Sequence, residues 1–132
     1  MKMNVLIVED DPAMRVYIKA TLLNSSFDVQ HIFEADNGQE GYEKLQMQNV
    51  NLILTDISMP VMNGIQFLER VSNHPIYRDI PAVAVTTEKD QSLMTMLSYW
   101  GHGYVQKPFN LAMLEQEITK MSKQTHEYYV YG

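Results

Sequence analysis

The chain has 132 residues, 45% hydrophobic and 20% charged, which suits one globular domain with its own core and leaves no room for a second. It contains no cysteine, which excludes disulfides, thiolate metal sites and cysteine nucleophiles and is compatible with a reducing cytoplasm. A formal net charge of −6 without a Lys/Arg cluster argues against direct nucleic-acid binding and for protein partners.

Short apolar runs alternate with longer helical patterns, the signature of βα units around a parallel sheet, and five units are read. The first strand is expected at 3–8. Such a run is too short to cross a bilayer, and nothing ahead of it resembles a signal peptide, so a cytoplasmic chain without membrane insertion is expected. Pro12 opens a helix in which Met14, Tyr17, Ile18, Thr21 and Leu22 follow the spacing of one buried face, and Asn24-Ser25-Ser26 ends it. A second strand lies near 29–34, followed by the turn Asp36-Asn37-Gly38 and a helix to about 48 that Gly41 should weaken. The third strand, 51–55, is apolar on both faces, as a central parallel strand is, and runs straight into Asp56. After Pro60 and Asn63-Gly64 come a helix over 65–72, a loop holding Pro75 and Pro81, a strand over 82–86 and a helix over 91–99. A short strand, 104–106, meets Lys107-Pro108-Phe109, and the last helix, 111–123, places Leu111, Leu114, Ile118 and Met121 inward. The domain is thus expected at 1–123, and 124–132, with Tyr128, Tyr129 and Tyr131, is expected to be a C-terminal tail or linker remnant.

In an open parallel sheet, ligands bind beyond the carboxyl ends of the strands. Those ends carry Glu9-Asp10-Asp11, Asp56, Thr86-Thr87-Glu88 and, after the fifth strand, Lys107. Carboxylates gathered at one site repel one another unless a cation neutralises them. Magnesium is the natural ion, because it takes oxygen ligands, keeps several waters and is held by one or two carboxylates together with phosphate oxygens. Asp10 and Asp56 suit that role. A carboxylate can also act as a nucleophile and form an aspartyl phosphate, for which Asp56 is the central candidate.

Val8-Glu9-Asp10-Asp11-Pro12, Leu54-Thr55-Asp56-Ile57-Ser58-Met59-Pro60 with Asn63-Gly64, Val85-Thr86-Thr87-Glu88 and Tyr104-Val105-Gln106-Lys107-Pro108-Phe109 together resemble the motif set of response regulator receiver domains of two-component, chemotaxis-type signalling. The resemblance spans about residues 3–123, in order and with family spacing. It implies a doubly wound, flavodoxin-like α/β fold: a five-stranded parallel sheet in the order 2-1-3-4-5 with helices on both faces. By matched position, Asp56 would accept the phosphoryl group. Mg²⁺ would be bound by Asp10, Asp56 and the backbone carbonyl of Ser58, with Glu9 acting through a metal-bound water. Lys107 would pair with a phosphoryl oxygen, Thr86 would donate its hydroxyl to the group, and Tyr104 would follow from an outward to an inward rotamer. Ser58, Thr87 and Glu88 would tune hydrolysis, and Lys107-Pro108 would be a cis bond.

Plainer roles are expected elsewhere. Asp11 should cap the Pro12 helix rather than serve as a third ligand. Trp100 should cover the end of the fourth helix rather than anchor a partner, and Met94 and Met96 should fill core. His31, His74, His102 and His126 lack paired ligand spacing and read as surface or loop residues.

The expected function is a switch that catalyses its own phosphorylation and dephosphorylation, not an enzyme for external substrates. It would take the phosphoryl group from a histidine kinase or histidine phosphotransfer protein and present a changed surface of helix 4, strand 5 and helix 5 to a downstream target, as a monomer or a phosphorylation-linked dimer. The alternative is a phosphorylation-independent interaction module, which has no need of Glu9, Asp10, Asp56, Thr86 and Lys107 together. An aspartate-nucleophile phosphohydrolase commonly has a second acid two residues after its nucleophile, where this chain has Ser58. A stand-alone regulator and a fragment of a longer protein would look alike.

Overall fold

In a computed structural model of the chain, the described residues are 2–131 for the backbone and 2–122 for side chains. Strands β1 (Lys2–Val8), β2 (Asp28–Ala35), β3 (Leu52–Thr55), β4 (Ala82–Thr86) and β5 (Gly103–Gln106) alternate with helices α1 (Pro12–Leu23), α2 (Gly38–Met47), α3 (Gly64–Ser72), α4 (Gln91–Tyr99) and α5 (Leu111–Tyr131). All neighbouring strands pair parallel, in the order β2-β1-β3-β4-β5, so every strand ends at the same edge of the sheet. No helix of the chain's described residues is long and apolar enough to cross a membrane.

The sheet is buried on both faces because its central strands are apolar over nearly all of their buried length, and the two-residue period of a strand divides them into two cores. Val5, Ile7, Leu52, Leu54, Val83 and Val85 pack with Ile18 and Leu22 of α1 and Leu114, Ile118 and Met121 of α5. Leu6, Val8, Ile53, Ala82 and Ala84 face the other way, with Phe67, Leu68 and Val71 of α3 and Leu93 and Leu97 of α4.

Local chemistry sets the helix ends. Asp11 accepts from the Ala13 N–H at 3.1 Å and caps α1, as expected of it. Asn63 and Gln66 form a reciprocal capping box on α3.

Several expectations are corrected. Tyr17 is 45% exposed, so the buried face of α1 is Ile18, Thr21 and Leu22, with Met14 half-buried. Gly41 has a packing role that propensity leaves out: a Cβ there would lie 2.9 Å from the Val8 side chain, so the missing side chain lets α2 close onto β1. Met94 and Met96 are 39% and 38% exposed and fill no core, because Leu93 and Leu97, four residues apart, take the inner stripe of α4 between them. The remaining face of α4 presents Gln91, Met94, Thr95, Ser98 and Tyr99 beside them, and no residue of Gln91–Tyr99 is charged. Trp100 is half-buried against the α3/α4 core at the end of that helix, where the plainer reading put it. The loop holding Pro75 and Pro81 contains a short 3-10 turn, Tyr77–Asp79. Helix α5 passes the end expected at 123, since no glycine or proline occurs within Leu111–Tyr131 to stop it. The side chains of His126, Tyr128, Tyr129 and Tyr131 lie outside the described residues.

His102 is also corrected, from surface to buried. It shares a 2.9 Å hydrogen bond with Ser72 at the end of α3, and burial lowers its pKa to about 4 from the ordinary 6.5. Between those values the unfolded chain binds the proton and the folded chain does not, so stability present above pH 6.5 is lost as the pH falls toward 4. Denaturant unfolding across this window should show a loss of about 3 kcal/mol from this residue, which His102→Gln removes.

Candidate functional site

Three segments meet at the carboxyl edge of the sheet. From β1 comes Glu9, buried, its backbone N–H donating to Ala35 O at 3.0 Å, and then Asp10, exposed. From β3 comes Asp56, half-buried, its backbone N–H bonded to Val8 O at 2.9 Å and its Oδ1 accepting from the Ile57 N–H at 2.7 Å. From β5 comes Lys107, whose N–H donates to Thr86 O at 2.8 Å and whose bond to Pro108 is cis.

The Lys107 ammonium donates to Glu9 Oε1 at 2.6 Å and to Asp56 Oδ2 at 3.3 Å. Burial drives the Glu9 carboxyl above its ordinary value and the charge of Asp56 adds to the effect, although hydrogen bonds from Lys107 and the Asp11 N–H oppose it. Burial alone would lower Lys107, but its hydrogen bond to Glu9 and the charges of Asp56 and Glu9 outweigh that and raise it. Glu9, Asp10 and Asp56 each bring a carboxylate oxygen within 4.8 Å of the others. Three acids thus stand about one amine, a donor set of hard oxygens two positive charges short of neutral. That imbalance fits a divalent cation such as Mg²⁺.

Thr86, at the end of β4, is buried, and its hydroxyl accepts from the Glu88 N–H at 3.3 Å. Glu88 also reaches Ser58, whose hydroxyl donates to Glu88 Oε2 at 3.4 Å, while Thr87 between them is exposed. Tyr104 is half-buried against the α3/α4 core, and its hydroxyl donates to the Glu88 carbonyl rather than to solvent. Burial and the Glu88 charge both raise its pKa. The predicted residues Glu9, Asp10, Asp56 and Lys107 are therefore brought together, and Ser58, Glu88, Thr86 and Tyr104 form a second connected group beside them.

Two connections were not foreseen from the sequence. Arg15 of α1 donates to the Glu9 carbonyl at 2.9 Å and pairs with Asp36 and Glu34. Gly64, at the start of α3, lies so close behind the site that a Cβ on it would fall 2.0 Å from the carbonyl oxygen of Asp56. The Asn63-Gly64 turn signalled the second of these; no sequence pattern signals the first.

The response regulator receiver domain model matches residues 5–119. The chain is 32% identical to chemotaxis protein CheY1 of Helicobacter pylori over 118 residues, covering 88% of this chain and 94% of that protein. Among solved structures, the chemotaxis protein CheY4 of Vibrio cholerae is 28% identical with a TM-score of 0.79, covering 92% of this chain and 99% of that one. The Mn²⁺-bound form of response regulator Rcp1 is 25% identical with a TM-score of 0.74, covering 88% of each chain. With the strand order, the edge acids and this match over most of its length, the chain belongs to the response regulator receiver domain family, in its chemotaxis type.

Proposed function

We propose that Asp56 is the phosphoacceptor of a two-component or phosphorelay system, charged from the phosphohistidine of a histidine kinase or phosphotransfer protein. The observation that carries this reading is the contact of Asp56 Oδ2 with the Lys107 ammonium at 3.3 Å, inside a cluster of three carboxylates. In the transfer, a carboxylate oxygen of Asp56 attacks phosphorus, the bond from phosphorus to the imidazole nitrogen breaks, and that electron pair returns to the histidine. Lys107 would pair with a phosphoryl oxygen, and Thr86 would donate its hydroxyl to the group, a reading supported by the contact of Lys107 with Asp56.

Asp10, Asp56 and the Ser58 carbonyl would hold Mg²⁺, with Glu9 acting through a bound water, a set supported by the clustered carboxylates and by the Mn²⁺-bound relative. When bound, the ion would neutralise the carboxylates and offset charge on the phosphoryl oxygens. The same chain residues catalyse loading and loss of the group, and Ser58, Thr87 and Glu88 set its lifetime. Turning Thr86 toward the phosphoryl group would draw its hydroxyl oxygen, which accepts from the Glu88 N–H, and with it the β4–α4 loop. Tyr104, already turned onto the same loop by its bond to the Glu88 carbonyl rather than pointing outward as expected, would follow the loop, and the α4/β5/α5 surface would change for its protein target. The chain acts in the cytoplasm, and the receiver unit is residues 1–123, beyond which α5 continues as an extension.

The test is a small phosphodonor with and without Mg²⁺, read by intact mass. A hydroxylamine-labile adduct of one phosphoryl group that needs Mg²⁺ and is lost in Asp56→Asn is expected. No adduct on folded, Mg²⁺-binding protein would move the chain to the phosphorylation-independent class.

A further inference from the structure

Helix α1 makes one contact across the molecule that the proposed chemistry leaves unused. The Tyr17 hydroxyl donates to the backbone carbonyl of Phe109 at 2.7 Å, and the two rings meet edge-on with centroids 5.1 Å apart. Phe109 stands two residues after Lys107 in the connection from β5 to α5. One end of that connection is pinned by the Lys107 N–H on Thr86 O at 2.8 Å, the other by Asn110, which accepts from the Met113 N–H at 2.9 Å. Pro108 between them has no N–H to contribute. Tyr17 holds the middle of the segment, and it is too exposed to be there as core filler.

The geometry points to Tyr17 as a positioning residue for phosphoryl transfer: its hydroxyl fixes the β5–α5 connection so that Lys107 stays on Glu9 and Asp56. This deepens the reading of Asp56 as phosphoacceptor and rests on it. A lysine amine rides on a flexible four-carbon stem, so its placement is only as good as that of its backbone. Catalysis that works by placing a cation beside the transferring group is sensitive to such slack. Arg15, two residues earlier, holds the Glu9 carbonyl at 2.9 Å, so a single turn of α1 grips the backbone on both sides of the Lys107–Glu9 pair.

Tyr17→Phe removes the hydroxyl and keeps the ring. With phosphoramidate as donor, which needs no protein docking surface, its initial phosphorylation rate is expected to fall about threefold to tenfold, the worth of one hydrogen bond. In a Lys107→Ala background the same change is expected to have no further effect, because no amine is left to position. A purely structural role would slow both backgrounds equally. A second readout is independent of phosphoryl transfer: the ¹⁵N–¹H NMR signal of the Lys107 ammonium, protected by its carboxylate partners, should exchange faster in Tyr17→Phe than in wild type. Equal slowing in both backgrounds, or an unchanged rate with an unchanged Lys107 signal, overturns the assignment. A wild type that forms no adduct overturns the phosphoacceptor reading instead, and the Lys107 signal alone then decides for or against Tyr17.

Discussion

Gly64→Ala is expected to cost about 3 kcal/mol of stability and to slow phosphorylation of Asp56 by about a hundredfold. Its Cβ would fall 2.0 Å from the Asp56 carbonyl oxygen and 2.7 Å from the Ile57 Cα. These are backbone atoms of the segment that carries the acceptor, and no side-chain rotation relieves the overlap. Either α3 retreats, dragging Phe67, Leu68 and Val71 from their core, or the Asp56 backbone moves and takes the carboxylate with it. Gly101 is the control. Its φ is +77°, but nothing lies within 4 Å of a Cβ there, so Gly101→Ala should cost only the local left-handed penalty of about 1 kcal/mol and leave the rate alone. Denaturant unfolding and phosphodonor kinetics on the two variants separate a crowded glycine from a merely twisted one.

Lys107→Met should reduce adduct formation by about a hundredfold to a thousandfold, the usual scale for removing a charge aimed at a developing anion. It should also cost about 3 kcal/mol at neutral pH, because Glu9 would be left buried beside Asp56 with no cation. The sign of the pH effect follows from the raised values of both partners. For Lys107, the stabilisation is present below its ordinary 10.5 and fades only as the pH rises through its higher folded value. For Glu9, folding favours the protonated acid, so its charge opposes folding at any pH above its ordinary 4.5. Glu9→Gln should accordingly restore most of the stability lost in Lys107→Met without restoring phosphorylation. If the double variant is no more stable than Lys107→Met alone, the buried Glu9 charge is not the source of the loss.

The acids of the site were legible in the sequence because the chain encodes them by position at strand ends. A continuous apolar run such as Leu52–Thr55 announces a buried parallel strand, and the first ionisable residue beyond it must stand at the sheet edge. The β4 and α4 ranges, Ala82–Thr86 and Gln91–Tyr99, are legible for the same local reasons of pattern and capping. What is lost in sequence is the supporting contact between distant elements. Helical spacing assigns Tyr17 to the buried face of α1, which is wrong, and nothing local says that the β5–α5 connection will come to meet its hydroxyl. His102 was missed because burial of a polar ring depends on a partner, Ser72, supplied by another helix. Gly41 looked like a weakness because propensity counts only the helix it belongs to, not the strand that helix must approach.

Helix α4 bears no charge along Gln91–Tyr99, although the chain as a whole is at −6. A partner that covers its methionines, hydroxyls and Tyr99 gains by excluding water from them and meets no fixed ion there. A contact with that face holds no ion pair of α4 for salt to screen, so its short-range part depends on shape and excluded water, while long-range attraction or repulsion is left to the charge on the rest of the molecule. The uncharged face of α4 and the acidic mouth of the same molecule thus feel a change of ionic strength by different routes, the first only through the molecule's overall charge and the second also at its own carboxylates.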